Sequence, residues 1–318
     1  MFRQVRRIFR AVPARRFYIG DAGHNGFLFG SGYVHDGKIL YTLHETQALL
    51  EQRAVLLVDI RDQDTFAEGH IPGAVNMPEI FSFLSESTPE GLAALQNTFA
   101  ASFSRVGVAH DHKVVFYEDS FDTRYGASCR GYWLARYLGH PDCGILDGGF
   151  WAWQQYGLPE ETVEIPPIPS RFLPHPNTAL MATREDVLAA LGDSRAILLD
   201  NRDANEWLGH TSSPYGFDFA PRRGRIPTAR WIEWYSFMSR DAIPAFRPAH
   251  EIRALCASQQ IYPDSEIIIF CFKGSRAANT YVALKLAGFN RVRVYFASWN
   301  EWSRDPSLPI ESGEPRGA

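Results

Sequence analysis

The chain of 318 residues predicts an α/β protein made of two copies of one domain, each a parallel sheet with helices on both faces. Three observations carry that expectation. One pattern of residues is written twice, each copy alternates strand-like with helix-like runs, and a proline-rich stretch parts the copies.

The first matched pair is VLLVDIR at 55 to 61 and ILLDNR at 197 to 202. In both, a short apolar run closes on an aspartate, Asp59 or Asp200, with Arg61 or Arg202 two residues later. An Ile-Pro pair follows in each copy, at Ile71-Pro72 and Ile226-Pro227. VVFYE at 114 to 118 then answers to IIIFCF at 267 to 272, short β-branched runs of the kind that fill buried parallel strands. LARYLGH at 134 to 140 answers to LKLAGFN at 284 to 290, each a helix closed by a glycine. Gly139 and Gly288 stand 149 positions apart, as do Trp153 and Trp302, so the copies match in register. Thr42 and Thr183 read as helix N-caps with acids in the turn that follows. Between the copies, Pro166, Pro167, Pro169, Pro174 and Pro176 forbid a helix or a central strand. The expected division is a basic extension at 1–40, a first domain at 41–160, a connector at 161–180 and a second domain at 181–318.

Composition excludes several classes. Charged residues make up 21% of the chain and the formal charge is −4, which gives no field that would draw nucleic acid. Cys129, Cys143, Cys256 and Cys271 have neither the density of a disulfide scaffold nor paired zinc spacing, so neither a metal nor a cofactor is expected. No apolar run reaches the roughly 20 residues of a membrane span. Six arginines and no acid occupy the first sixteen residues, with Phe2, Val5, Phe9 and Val12 on one helical face. That segment reads either as a basic extension of a cytoplasmic protein or as a mitochondrial targeting peptide without the usual serines.

The chemistry is expected where the strand IIIF hands over to a helix, because ligands of parallel sheets sit at the carboxyl ends of strands. There the chain reads Cys271-Phe272-Lys273-Gly274-Ser275-Arg276-Ala277. A thiol at this turn faces helix N-terminal N–H groups and the positive end of the helix dipole, which favour anionic sulfur. Gly274 permits a turn that aims N–H groups inward, and Lys273 and Arg276 add positive charge. C-x-x-G-x-R-A after a buried strand, together with D-x-R…H-I-P-G-A in the first copy, resembles the rhodanese family. The doubled layout is similar to its tandem-domain thiosulfate and 3-mercaptopyruvate sulfurtransferases. The resemblance implies that Cys271 takes a sulfane sulfur from a donor and passes it to a thiophilic acceptor such as cyanide or a thiol; a thioredoxin-like protein would meet the same persulfide, and a monomer is expected.

The matching turn of the first copy, Glu118 to Gly126, has no cysteine and is acidic. It is expected to repel a thiosulfate anion and leave the first domain to wall the cleft. Lys273 favours thiosulfate as the donor; mercaptopyruvate stays open as the alternative. Asp200 and Arg202 either hold the active loop or form a structural pair. Arg222, Arg223 and Arg225 either steer anions or are simply solvated, and Arg225 replaces the histidine of the first copy's H-I-P. Trp299 and Trp302 line the cleft or belong to the core. Cysteine-based phosphatases share this fold, but their C-x5-R loop wraps a phosphate, whereas Cys271 to Arg276 is C-x4-R and suits a single sulfur atom. A non-catalytic interaction module is the remaining class, and the intact Cys271 speaks against it.

Overall fold

The computed structural model describes residues 37–193 and 195–313; the basic segment of the first sixteen residues lies outside them. In chain order the first repeat contains β1 (Leu40–Tyr41), α1 (Leu43–Glu51), β2 (Val55–Asp59), α2 (Gln63–Glu68), β3 (Val75–Asn76), α3 (Pro89–Arg105), β4 (Lys113–Tyr117), α4 (Ala127–Tyr137), β5 (Cys143–Leu146) and α5 (Gly149–Gln155). The second contains β6 (Met181–Ala182), α6 (Arg184–Ala190), β7 (Ala196–Asp200), α7 (Ala204–Trp207), β8 (Arg230–Trp231), α8 (Ala249–Ser258), β9 (Glu266–Phe270), α9 (Ser275–Leu286), β10 (Val292–Tyr295) and α10 (Ser298–Trp302). The two sheets have the same parallel order, β1-β5-β4-β2-β3 and β6-β10-β9-β7-β8.

The threonine caps form as their spacing predicts. The Thr42 hydroxyl accepts from Glu45 N–H, the Thr183 hydroxyl accepts from Asp186 N–H, and both acids reach back to close capping boxes. Strand alternation then sorts the side chains. In β4, Val114 and Phe116 face α3 and α4, while Val115 and Tyr117 face Phe66, Phe150 and Trp153 of α2 and α5. In β9, Ile267 and Ile269 face α8 and α9, while Ile268 and Phe270 face Val187, Trp299 and Trp302. Helices therefore cover both faces of each sheet, as the doubled pattern predicts.

One core cluster runs through both repeats, because α4 packs on α9. Trp133 stacks on Phe296 at 4.9 Å, and Phe121 meets Phe246 at 4.8 Å. The helix starts approach so closely that a Cβ on Gly126 would meet the Asn279 side chain at 2.8 Å. The proline-rich stretch has no regular structure from 162 to 177, yet it is tied down. His175 N–H donates to Leu138 O (2.9 Å), Asn177 N–H donates to Tyr137 O (2.7 Å), and Phe172 is buried. No helix among the described residues is long and apolar enough to cross a membrane.

Candidate functional site

Cys271 is the first residue after β9 and is 1% exposed, so its sulfur is almost closed to solvent. α10 grips the turn from below. Trp299 N–H donates to Cys271 O (3.0 Å), Asn300 N–H to Phe272 O (2.9 Å), and Cys271 N–H to the Ser298 hydroxyl (3.1 Å). On the other side of the turn, Gly274 N–H lies 3.1 Å from the Cys271 sulfur and points to it. Gly274 has φ 91°, and a Cβ there would meet the Phe296 ring at 2.7 Å, so backbone and packing both demand glycine. The first bond of the α9 ladder runs from Ala278 N–H to Gly274 O (2.9 Å); the N–H groups of Ser275, Arg276 and Ala277 precede it, at the positive end of the helix.

The two loop cations have different fates. Arg276 is 2% exposed and locked to Glu206 of α7 (2.5 and 3.0 Å), with Asp203 at 3.0 Å, so its charge is already balanced. Lys273 makes cation–π contacts with Phe81 of the first repeat (3.8 Å) and Tyr215 (5.0 Å). Burial, helped by the neighbouring Arg130 and Arg276 charges, pushes its ammonium down to about 8, against the pull of the Cys271 sulfur. Phe272 is buried, its ring edge-on to Tyr215 at 5.6 Å. Ser275 accepts from Arg130 (3.3 Å), and Ala277 is fully buried in α9.

Asp200 and Arg202 form the structural pair. Arg202 Nε and Nη2 bind the Asp200 carboxylate (2.6 to 3.1 Å), Nη2 also reaches Gly224 O (2.8 Å), and the guanidinium packs over Trp299 at 4.3 Å. Asp200 is taken up by this arginine rather than by the active loop. The residue between them makes the link instead, because Asn201 Nδ2 donates to Arg276 O (2.7 Å) and the Thr280 hydroxyl (2.6 Å). Asp59 and Arg61 repeat the pair in the first copy, with Gly69 O as the third partner.

The steering role considered for the arginines of the insertion gives way to packing for two of them. Arg222 donates to the carbonyls of Trp302, Ser303, Asp305 and Leu308, which ties down the C-terminal segment. Arg225 is 3% exposed, donates to Gly313 O (2.8 Å) and lies 3.5 Å from Glu311. His70 holds the same position against Glu161 (3.6 Å), so the replacement of histidine by arginine preserves one contact in both copies. Trp299 and Trp302 are fully buried and belong to the core.

The first repeat's turn corrects the expectation of anion repulsion at its first residue. Phe150 N–H donates to Glu118 O (2.8 Å) as Trp299 N–H donates to Cys271 O, so Glu118 holds the place of the cysteine. Its carboxyl is buried at the start of α4 and accepts from Ser128 N–H (3.0 Å), the Ser128 hydroxyl (2.6 Å) and Ala127 N–H (3.3 Å). Burial outweighs those donors and pushes it up to about 8, so at neutral pH the group is largely uncharged. Between pH 4.5 and about 8 the unfolded chain has released this proton while the folded chain keeps it. The unfolded state binds fewer protons, so stability falls as pH rises across that window. Glu118→Gln is expected to flatten this slope: the urea midpoint changes little near pH 5 and rises above that of the wild type near pH 8.5. A slope equal to that of the wild type would place the titration elsewhere.

Fold and site define a duplicated α/β protein with one cysteine-bearing loop. The profile described as rhodanese-like domain matches residues 42–156 and 183–305. The chain belongs to the rhodanese family of sulfurtransferases. It is 31% identical to the "Sulfur carrier protein TtuD" of Thermus thermophilus, over 89% of this chain and 99% of that one. It is 30% identical to a "Thiosulfate sulfurtransferase" of Pseudomonas aeruginosa, over 81% and 91%, and 28% identical to a protein of that organism named for 3-mercaptopyruvate sulfurtransfer, over 86% and 98%. Among solved structures, wild-type EanB superposes with a TM-score of 0.71 at 25% identity, over 82% of this chain and 64% of that chain. An EanB complex with ergothioneine covalently linked to a persulfide cysteine reaches a TM-score of 0.75 at 23% identity, a likeness of fold.

Proposed function

We propose that this chain is a thiosulfate sulfurtransferase whose second repeat, residues 181–318, carries the reaction on Cys271. The Cys271 thiolate attacks the outer sulfur of thiosulfate, a sulfur–sulfur bond forms, and sulfite leaves with the electron pair of the broken bond. Cyanide or a thiol then attacks the terminal sulfur, and the thiolate returns. The observation that carries the reading is the Gly274 N–H placed 3.1 Å from the Cys271 sulfur, beside the Lys273 ammonium. Phe272, Ser275, Arg276 and Ala277 shape the loop, and the Asp200–Arg202 pair holds the strand end below it. The test is thiocyanate formation from cyanide with thiosulfate and with mercaptopyruvate as donors. Faster turnover with thiosulfate is expected; no turnover with either donor in reduced protein would overturn the reading.

Lys273 supports the choice of donor, because Arg276 is neutralised by Glu206 and Asp203 and leaves Lys273 to meet a dianion. The ammonium is charged below about pH 8 and neutral above it. The KM for thiosulfate is therefore expected to rise roughly tenfold, about 1.4 kcal/mol, as pH rises through that value. Lys273→Gln should show the raised KM at every pH; a KM in the variant that still climbs through pH 8 would assign the effect to another group.

Mercaptopyruvate is the second reading, favoured by the 28% identity with the protein named for it. That donor is a monoanion and depends less on the lysine charge, so the same pH series separates the two.

A further inference from the structure

Arg130 belongs to α4 of the first repeat, the copy with no cysteine in its turn, yet it ends at the cysteine loop of the second. It is fully buried. Nη1 donates to Lys273 O and to the Ser275 hydroxyl (3.3 Å), Nη2 donates to Phe83 O (2.6 Å), and the guanidinium lies over the Phe296 ring at 4.5 Å. Among the described residues no carboxylate pairs with it, its Nε has no partner, and it stands within electrostatic range of the Cys271 sulfur. A buried cation without a counter-charge is costly, so its role is worth asking after.

The Lys273 carbonyl and the Gly274 N–H belong to one peptide unit. In a planar trans peptide the two point in opposite directions, so whatever holds the oxygen on one side aims the hydrogen on the other. Arg130 holds the oxygen, and the hydrogen meets the sulfur. A charged donor on the carbonyl also polarises the peptide and strengthens the N–H as a donor, since linked hydrogen bonds reinforce each other in a low-dielectric interior. We propose that Arg130 is a positioning residue supplied by the first repeat, which orients and polarises the Lys273–Gly274 peptide so that its N–H stabilises the charge on the Cys271 sulfur. The first repeat then contributes to the chemistry itself, and the loop is incompletely held without it. This rests on the reading of Cys271 as the sulfur carrier.

The test compares Arg130→Met and Arg130→Lys with the wild-type full chain. Loss of one oriented donor from a charge-stabilising site costs about 100- to 1,000-fold in other enzymes, and here the donor is only released from its orientation. Arg130→Met is expected to lower kcat for sulfur transfer roughly 10- to 100-fold while KM for thiosulfate stays within about threefold. Lysine, which keeps the charge and one donor for the Lys273 carbonyl, is expected to recover most of the loss. The second readout is the Gly274 amide proton in the NMR spectrum of the reduced protein, expected to move upfield in Arg130→Met. A folded Arg130→Met with unchanged kcat and an unchanged Gly274 amide would overturn the proposal. So would failure of both variants to fold, which would assign Arg130 to the scaffold. If the wild type itself loads no sulfur on Cys271, the reading of Cys271 falls, while the Gly274 amide still reports whether Arg130 orients the peptide.

Discussion

Cys271→Ser is expected to abolish sulfur transfer and to take up no sulfur when incubated with thiosulfate, whereas the wild type is expected to gain one sulfur atom, as read by mass spectrometry. A serine hydroxyl in the same place would still meet the Gly274 N–H, but at neutral pH it is neither an anion nor a nucleophile without a general base. The surrounding groups are donors and cations, namely Gly274 N–H, Lys273 and the N-terminus of α9, and none could remove a proton from that hydroxyl below about pH 8. The remaining cysteines serve as controls. Cys129 is buried inside α4, where burial, reinforced by Glu118, raises its thiol far above the ordinary range. Burial likewise pushes Cys256 up to about 12. Cys129→Ser is therefore expected to keep nearly full turnover. Turnover retained by Cys271→Ser would remove that residue from the mechanism.

Glu206→Leu is expected to be the most damaging substitution for stability among the residues that frame the loop. Arg276 and Glu206 are both almost fully buried and meet through two hydrogen bonds of 2.5 and 3.0 Å. Removing one partner of such a pair leaves a desolvated charge and costs about 3–5 kcal/mol. For a domain of this size that corresponds to a drop of roughly 10 °C in Tm. Asp203, with a third of its side chain exposed, offsets only part of the loss. The paired replacement Glu206→Leu with Arg276→Met removes both charges, so it should recover several degrees over the single variant, as apolar replacements of whole buried pairs do. A double variant less stable than the single one would mean that Asp203 alone is enough to balance Arg276. Calorimetry of the three proteins decides it.

Much of this is legible in the chain because duplication exposes it. Short β-branched runs ending on Asp59 and Asp200, glycines closing helices and threonines opening them are local signals, and the local physics decides them. The cysteine loop is legible for the same reason: strand, turn and helix are contiguous, and Gly274 marks the backbone conformation that the turn requires. What stays hidden is what depends on distant packing. Glu206 looks like one acid in an exposed helix until Arg276 is placed against it. Arg130 sits among aromatic helix residues with nothing to say that its end crosses to the other repeat. Asn201 separates Asp200 from Arg202 and reads as a spacer, although it is the member of that triplet that bonds to α9. Glu118 is obscured by loop length: Glu118 to Gly126 spans nine residues where Cys271 to Gly274 spans four, so the constant offset that aligns the helix ends misaligns the turns.

That mismatch gives the two turns different places in the packing. In the first repeat the seat at the helix start is filled by the chain's own carboxyl, held by Ser128, Ala127 and Thr123, and the extra loop residues carry Phe121 into contact with Phe246 of the other half. Exchanging Glu118 for cysteine would put a thiol behind a loop of the wrong length, and shortening the loop would pull out an aromatic that the opposite half packs against. With that seat filled and its loop built into the joint, neither a single substitution nor a single deletion would give the first repeat a loop like that of Cys271.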